Sequence, residues 1–369
     1  MRVSFKSTLH FSLLGAALGL VACSSGGDGG GGGFIPPNIS TQPVAITSDN
    51  EGEVAQAGFD GAQGGMGLAS ATDLVPIAAA TAGSNTTSSN INLYRTVRKF
   101  VDAAIDKQID QTSTLSVTGV EFSDSASCAY QDPVTNQTIG SGSESFRASI
   151  ADFNQQTGEP NSFSNGDYIS VTFNNCDYGD GVVQNGSMTM TFNSNVSLMD
   201  VNAEVFSMNV TASFNNLSMT SITTGVETLH GTINLAFDVN GTSVSFNMSG
   251  SSFYAVSSAE SVHLTNFSFS ASTDGINSSV QATFTIASTM LDGQITVESQ
   301  FSSNGAGYPT SGSMTITGDN SQLVVSVNGD GTTATATVNV TLTINGMVQA
   351  GYPKDVTWSE LGVEVNNAF

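Results

Sequence analysis

Hydrophobic and polar residues alternate along most of the chain between about residue 113 and residue 345. In the segment 206–215, Phe, Met, Val and Ala occupy the even positions, and Ser, Asn and Thr occupy the odd positions. The same alternation is found over 188–198, 233–239, 244–248, 280–290 and 334–344. Successive side chains of a β-strand point to opposite faces of a sheet, so we expect each segment to bury one face and expose the other.

Turn-forming sequences separate these segments. Asn-Gly or Asp-Gly pairs stand at 240–241, 274–275, 292–293, 328–331 and 345–346. Such pairs favour tight turns, and short connections make consecutive strands antiparallel. We therefore predict a mainly β fold with about twelve long antiparallel strands in a meander, arranged as a sandwich or a curved half-open barrel.

One segment has the period of a helix instead. Between residues 90 and 111, apolar residues recur at three- and four-residue intervals, which predicts one N-terminal amphipathic helix. Its basic residues are interleaved with aspartates, a pattern typical of a helix whose charged side faces water.

The first residues have the layout of a secretory signal. Two basic residues among the first six precede an apolar stretch, Leu9–Val21, which is too short to span a membrane. The stretch ends in Leu20-Val21-Ala22-Cys23, which resembles the lipobox of bacterial lipoproteins. This resemblance implies cleavage before Cys23 and acylation of Cys23, for example with palmitate. Ser24 in the next position implies sorting to the outer membrane.

These features divide the chain into three parts. Residues 1–22 are interpreted as the lipoprotein signal peptide, and residues 23–88 as a mostly flexible tether rich in Gly, Ser and Ala. Residues 89–369 are interpreted as a single all-β domain. Two or more acyl chains hold a protein stably on a membrane without a spanning helix, so we expect a lipid-anchored protein.

Two cysteines remain after Cys23, namely Cys128 and Cys176. An envelope compartment is oxidising, so we expect one disulfide between them.

The charge excludes one class of partner. The chain has 31 acidic residues against 8 basic ones, a formal net charge of -23. Such a chain repels phosphate backbones and has no basic patch that would release counterions. Nucleic acid is therefore not expected as a partner.

Sequence motifs for catalysis or metal binding are weak. G-x-S-x-G and H-E-x-x-H do not occur, and only His230 and His263 follow the signal. Two turn segments contain oxygen ligands that suit calcium, Asp177 with Asp180 and Asn328 with Asp330, but both lack the downstream Glu of a calcium loop. We expect no enzymatic activity, no cofactor and no metal.

The last sixty residues carry a second resemblance. Tyr308-Pro309-x-Ser311-Gly312-Ser313, then Thr315-Ile316-Thr317-Gly318 and Thr357-Trp358-Ser359-Glu360-Leu361, resemble the C-terminal segment of a group of uncharacterised bacterial lipoproteins. The resemblance covers about a sixth of the chain. It implies the lipoprotein class and supplies no activity.

Three kinds of function stay open. The first is a structural or surface-binding role in the cell envelope, including adhesion, in which the Ser, Thr and Asn face binds a glycan or an envelope protein. The second is transport of a lipid or another hydrophobic ligand in a curved β body, because Phe and Met adapt to irregular apolar ligands. The ligand-facing residues would then be Phe206, Met208, Phe214, Phe246, Met248 and Phe284.

The third is a membrane-spanning barrel with its apolar face toward lipid. The sequence favours the first, and it does not decide between the periplasmic and the outer side of the membrane.

Overall fold

The computed structural model confirms the mainly β, antiparallel fold. It describes residues 34–70, 120–131, 137–154, 159–179, 181–197, 205–221, 225–258, 260–274, 276–303, 309–328 and 336–361. These residues belong to two compact units. The disulfide unit lies within Ala71–Gly241, and the helix-bearing unit lies within Met1–Ser70 and Thr242–Phe369.

The main strands of the disulfide unit are antiparallel. Its strands are β1 (Val120–Ser127), β2 (Tyr130–Gln131), β3 (Thr138–Ile139), β4 (Ser141–Ile150), β5 (Asp152–Asn154), β6 (Glu159–Phe163), β7 (Tyr168–Asp177), β8 (Val182–Phe192), β9 (Val196–Ser197), β10 (Val205–Ser221) and β11 (Gly225–Asn240). Strands β1, β4, β7, β8, β10 and β11 pair in that order. Strands β2–β3 and β5–β6–β9 form two small additional sheets.

The helix-bearing unit contains one helix and a long antiparallel meander. Its elements are α1 (Glu51–Ser70), β12 (Ser243–Ser257), β13 (Ser261–Thr273), β14 (Ser278–Ser288), β15 (Gly293–Ser303), β16 (Ser311–Gly318), β17 (Ser321–Asn328), β18 (Thr337–Ile344), β19 (Met347–Val348) and β20 (Lys354–Thr357). Strands β12 to β19 pair in chain order, and β20 pairs with β18.

The predicted alternation decides which side chains are buried. On β10, Met208, Val210 and Ala212 are buried, and the residues between them are exposed or half-buried. On β14, every second residue from Val280 to Ile286 is buried in the same way. Each strand therefore contributes one apolar face to a core and one polar face to the surface.

Asparagine bulges interrupt this alternation in β7 and β10. Asn175 and Asn216 adopt φ angles of 47° and 51°, and both lie where strand pairing shifts register. Asn tolerates this left-handed backbone better than other residues except Gly. The extra residue reverses the parity, so that Phe214 and Leu217 are both buried although they are three positions apart. Strands can thus continue for up to 17 residues with their apolar side still facing the core.

The observed helix lies within residues 23–88, the segment whose composition predicts a tether. Helix α1 begins at Glu51, and its Val54, Ala55, Phe59 and Ala62 are buried. These apolar side chains stand among Gly and Ala, so their period is too weak to predict this helix from the sequence. The helix predicted at 90–111 lies outside the described residues.

Helix α1 packs on the apolar face of the sheet in its own unit. The ring of Phe59 lies 5.2 Å from that of Trp358 and 6.0 Å from that of Phe301, measured between centroids. Gly58 permits this close approach, since a Cβ there would lie only 2.7 Å from the Cδ1 of Ile316. The helix therefore takes the place that another layer of a sandwich would occupy over these strands.

A short extended segment, residues 42–46, precedes α1 and is called the strap. Its backbone is bonded to β15, with the Val44 amide donating to the Gln294 carbonyl at 3.0 Å and the Gln294 amide donating to the Gln42 carbonyl at 2.9 Å. The Asp319 amide then donates to the Val44 carbonyl at 2.8 Å. The strap thus links the start of β15 to the turn after β16.

Polar contacts fix the start of α1. The Glu51 carboxylate accepts hydrogen bonds from the Tyr352 hydroxyl and the Lys354 ammonium group. The hydrogen bond to Glu51 raises the pKa of Lys354 above its ordinary value. The Asn50 carbonyl accepts the first helical hydrogen bond, from Val54 at 3.0 Å. The first turn is therefore joined to β20 by charge-assisted bonds.

The predicted disulfide is present in the disulfide unit. Cys128 and Cys176 are bonded, and their Cα atoms lie 5.4 Å apart. Because the cysteines are 48 residues apart, the crosslink stabilises the fold by about 4 kcal/mol in the chain-entropy description. It fastens the end of β1 to β7.

We predict that Gly318→Ala destabilises the protein by about 1–3 kcal/mol, because its new Cβ would lie 2.0 Å from the Val44 carbonyl oxygen of the strap. The same change at Gly52, in the first turn of α1, is the matched control. Its Cβ would meet nothing closer than 4.0 Å, so stability should stay equal or rise by up to about 1 kcal/mol. Urea unfolding gives the free energy of unfolding of both variants. Equal changes in the two would contradict the packing of the strap against Gly318.

Candidate functional site

The outward residues of the helix-bearing unit line up in polar rows that cross the strands. Facing pairs connect one row from β12 to β18, the amide row, which consists of Asn247, Ser270, Gln281, Gln300, Ser313, Ser326 and Asn339. A second row consists of Ser245, Ser272, Ser279, Ser302 and Ser311. A third consists of Thr265, Thr285, Thr296 and Thr317. Together we call these rows the polar ladder, with strands about 4.8 Å apart.

Hydrogen bonds between neighbouring strands hold parts of the ladder in place. The hydroxyls of Ser272 and Ser279 are bonded at 2.8 Å, and those of Thr285 and Thr296 at 3.1 Å. Hydroxyls that are fixed in this way keep further donor and acceptor capacity for a bound molecule.

A shallow depression of about 160 Å³ lies on the ladder. Its lining is dominated by hydroxyl and amide side chains of β12 to β15, namely Ser245, Asn247, Ser270, Ser272, Ser279, Gln281 and Gln300. The side chains of Asn247, Gln281 and Gln300 are exposed to solvent. An amide carries two donors and one acceptor oxygen. This surface can therefore both donate hydrogen bonds to a ligand and accept them from it, without using a charged group.

The polar face of the disulfide unit has a similar character. Cross-strand hydrogen bonds join Ser170 to Thr189 at 2.9 Å and Thr211 to Asn234 at 2.9 Å. One ion pair lies among them, between Arg147 and Glu121 at 3.3 Å, with both side chains 63% exposed. An ion pair this exposed contributes little to stability.

The residues proposed to face a hydrophobic ligand are part of the cores. Met208 and Phe214 are buried in the disulfide unit, and Phe206 beside them is half-buried. Phe246, Met248 and Phe284 are buried in the helix-bearing unit. There α1 packs on the same apolar face of the sheet, and the ring of Phe284 stacks on Phe269 at 5.4 Å.

His263 belongs to an aromatic cluster that the sequence analysis did not anticipate. Its ring stacks on that of Tyr254 with centroids 3.9 Å apart, and its Nε2 lies 2.9 Å from the Ser252 hydroxyl. The ring of Phe34 also contacts that of Tyr254, with centroids 5.1 Å apart. Burial lowers the pKa of His263 below its ordinary value of 6.5. Cross-strand pairing of 254 with 263 creates this cluster, and register cannot be read from either strand alone.

Each histidine that follows the signal lies three residues after a glutamate, His230 after Glu227 and His263 after Glu260. Glu260 accepts a hydrogen bond from the Ser288 hydroxyl, whereas His263 is bonded to Ser252. In β11, burial raises the pKa of Glu227 and lowers that of His230.

The calcium candidates are only partly described. The Asp177 carboxylate accepts a bond from the Gly179 amide at 2.7 Å, as in an ordinary Asx turn. Asn328 is the last residue of β17. Asp180 and Asp330 lie outside the described residues, as does the lipidation candidate Cys23.

Another group of metal-ligand types lies around the disulfide. The two sulfurs and a carboxylate oxygen of Glu144 lie within 4.8 Å of one another. Both sulfurs are joined in the disulfide, and the Glu144 carboxylate accepts a hydrogen bond from Tyr178. The group therefore offers a metal only one ligand in this state.

In the part of the chain that the structure describes, no helix is both long enough and apolar enough to cross a bilayer. The chain matches no known family model, no curated protein sequence and no solved structure.

We predict that His263 titrates below pH 6.5, because a protonated ring would lose hydration in its cluster. As the pH falls, His263 of the unfolded chain is protonated before His263 of the folded protein. The stability that the neutral ring contributes is therefore complete above pH 6.5 and is lost on acidification below it. NMR titration gives the pKa, and unfolding at several pH values compares wild type with His263→Gln. A pKa at or above 6.5 would contradict the burial of the ring.

Proposed function

We propose that this protein is a lipid-anchored component of the bacterial outer membrane that binds neutral glycans through its polar ladder and catalyses no reaction. The observation that carries the proposal is the amide row, in which uncharged hydrogen-bonding side chains face one another across seven strands.

The chemistry of the ladder suits sugar hydroxyl groups. Hydroxyl and amide side chains both donate and accept hydrogen bonds, as sugar hydroxyls do. The net charge of -23 disfavours polyanionic ligands such as nucleic acids or sulfated glycans. A neutral glycan is not repelled by this charge, and its hydroxyl groups match the donors and acceptors of the ladder.

The shape of the site favours a polymer over a small molecule. Sites that enclose drug-sized ligands have volumes of about 300–1,000 Å³. The depression here is about 160 Å³ and lies over β12 to β15, and the amide row extends past it over β16, β17 and β18. Many weak contacts along an extended chain would then supply the affinity, as expected for adhesion.

The lipid anchor rests on the lipobox resemblance around Cys23. With cleavage there, ten residues, Ser24 to Gly33, separate the acylated cysteine from Phe34. Anchoring would hold many copies of the ladder at the cell envelope, where repeated weak binding becomes effective.

We expect Cys23→Ser to move the protein from the membrane fraction to the soluble fraction and to abolish labelling with an alkyne fatty acid, because the acceptor sulfur is lost. Ser24→Ala is the matched control and should leave both unchanged. Persistent labelling of the Cys23→Ser protein would contradict the anchor.

Replacing Asn247, Gln281 and Gln300 together by Ala should weaken glycan binding by about tenfold or more, because each lost hydrogen bond costs about 0.5–1.5 kcal/mol. The probe is a panel of immobilised neutral oligosaccharides, with sulfated ones for comparison. Asn209→Ala removes an exposed amide from the disulfide unit and should have no effect. Unchanged binding by the triple variant, or no binding by wild type, would refute the ladder as the site.

A further inference from the structure

One end of the sheet in the helix-bearing unit differs from the other. In an antiparallel meander, alternate turns lie at the same end. The turns after β12, β14, β16 and β18 therefore share one end, which we call the entry end. Hydrogen bonds connect them, from the Thr289 amide to the Ser261 carbonyl at 3.1 Å and from the Asn345 amide to the Asn320 carbonyl at 2.8 Å.

The N-terminal part of the chain runs along this entry end. Phe34, the first described residue, packs on Tyr254 near the end of β12. The strap is then bonded to Gln294 and Asp319, which flank the next two turns. Helix α1 starts beside β20, at the contact of Glu51 with Lys354. The chain that arrives from Cys23 therefore meets the folded unit at this end.

Exposed apolar side chains are concentrated at the same end. Among the described residues of this unit, six large apolar side chains are exposed, and four of them lie at the entry end. These four are Ile35, Met290, Met347 and Val348, exposed by 86%, 71%, 67% and 55%. The other two, Val244 and Ile276, belong to the opposite end. Turn tips are usually occupied by Gly, Asn, Asp, Ser and Pro, so methionines at two tips require a reason.

The length of the connecting chain favours one end of the unit for contact with a membrane. Eleven residues from Cys23 to Phe34 span at most about 40 Å when fully extended. The opposite end lies farther away by the length of a strand, about 37 Å for the 11 residues of β14. The opposite end could therefore touch the bilayer only with the connecting chain almost fully extended, so acylation of Cys23 favours contact by the entry end and its apolar tips.

We propose that the entry end docks on the bilayer, with Ile35, Met290, Met347 and Val348 entering the interfacial layer as a second attachment beside the acyl chains. The unbranched, adaptable Met side chain suits an irregular lipid surface. Asp292 lies in the same turn as Met290, and Asp319 lies in the turn after β16 at the same end, so the surface fits zwitterionic headgroups better than anionic ones. This inference rests on the proposed acylation of Cys23.

Docking at this end would orient the polar ladder. The strands of the unit would rise from the membrane, and the rows would lie parallel to it at successive heights. A glycan could then reach the amide row from the side, without competition from the lipid surface.

The test uses the acylated protein purified from membranes and reconstituted into phosphatidylcholine vesicles with brominated acyl chains, which quench nearby tryptophan. Met290→Trp and Ile276→Trp form a matched pair, since both native side chains are 71% exposed at opposite ends. The buried native Trp358 contributes equally to both. We expect a loss of fluorescence and a blue shift for Met290→Trp, and no change for Ile276→Trp.

The outcomes separate the two proposals. If the protein partitions into the vesicles but both variants are quenched equally, or neither is, docking by the entry end is refuted and the anchor stands. If the purified protein lacks acyl chains and stays out of the vesicles, the anchor itself is refuted, and docking with it. Quenching of Met290→Trp that disappears on adding Met347→Asp would support a shared apolar contact.

Discussion

The packing of α1 on the apolar side of its sheet is the interaction on which the rest of this unit depends. A sheet with one apolar face must cover it, and here the cover is a helix from the same chain, seated through Gly58 and Phe59. The strap fixes the position of that helix, and Gly318 leaves room for the strap. Because the apolar side is occupied in this way, the polar side is left as the surface that this unit presents to other molecules.

The polar side gains its properties from register. Alternation alone would scatter Ser, Thr, Asn and Gln over the surface, but antiparallel pairing brings like residues opposite one another, as with Gln281 and Gln300. Fixed hydroxyl pairs such as Ser272 with Ser279 add rigidity, and rigid polar groups lose less entropy when they bind a ligand. The rows themselves are uncharged, although Glu298 lies exposed on the same face between Thr296 and Gln300.

Most of the β architecture could be predicted from the sequence, because alternation and Asn-Gly turns are local signals. The disulfide between Cys128 and Cys176 could also be predicted, since no other pairing was available after Cys23. Helix α1 could not, because its buried Val54 and Phe59 are too few among Gly and Ala to give a clear period. The bulges at Asn175 and Asn216 and the row of facing amides depend on which residues pair across strands, and that information is not local.

The central claim is that the apolar faces of the sheets are filled by the protein itself. Native mass spectrometry of the chain beginning at Ser24, directed to the periplasm and purified without detergent, tests this most directly. The account predicts the bare protein mass, with no apolar molecule recovered by solvent extraction. A lipid or other hydrophobic compound retained in stoichiometric amount would contradict it, and would make the Phe and Met face around Met208 and Phe284 the functional site of a carrier.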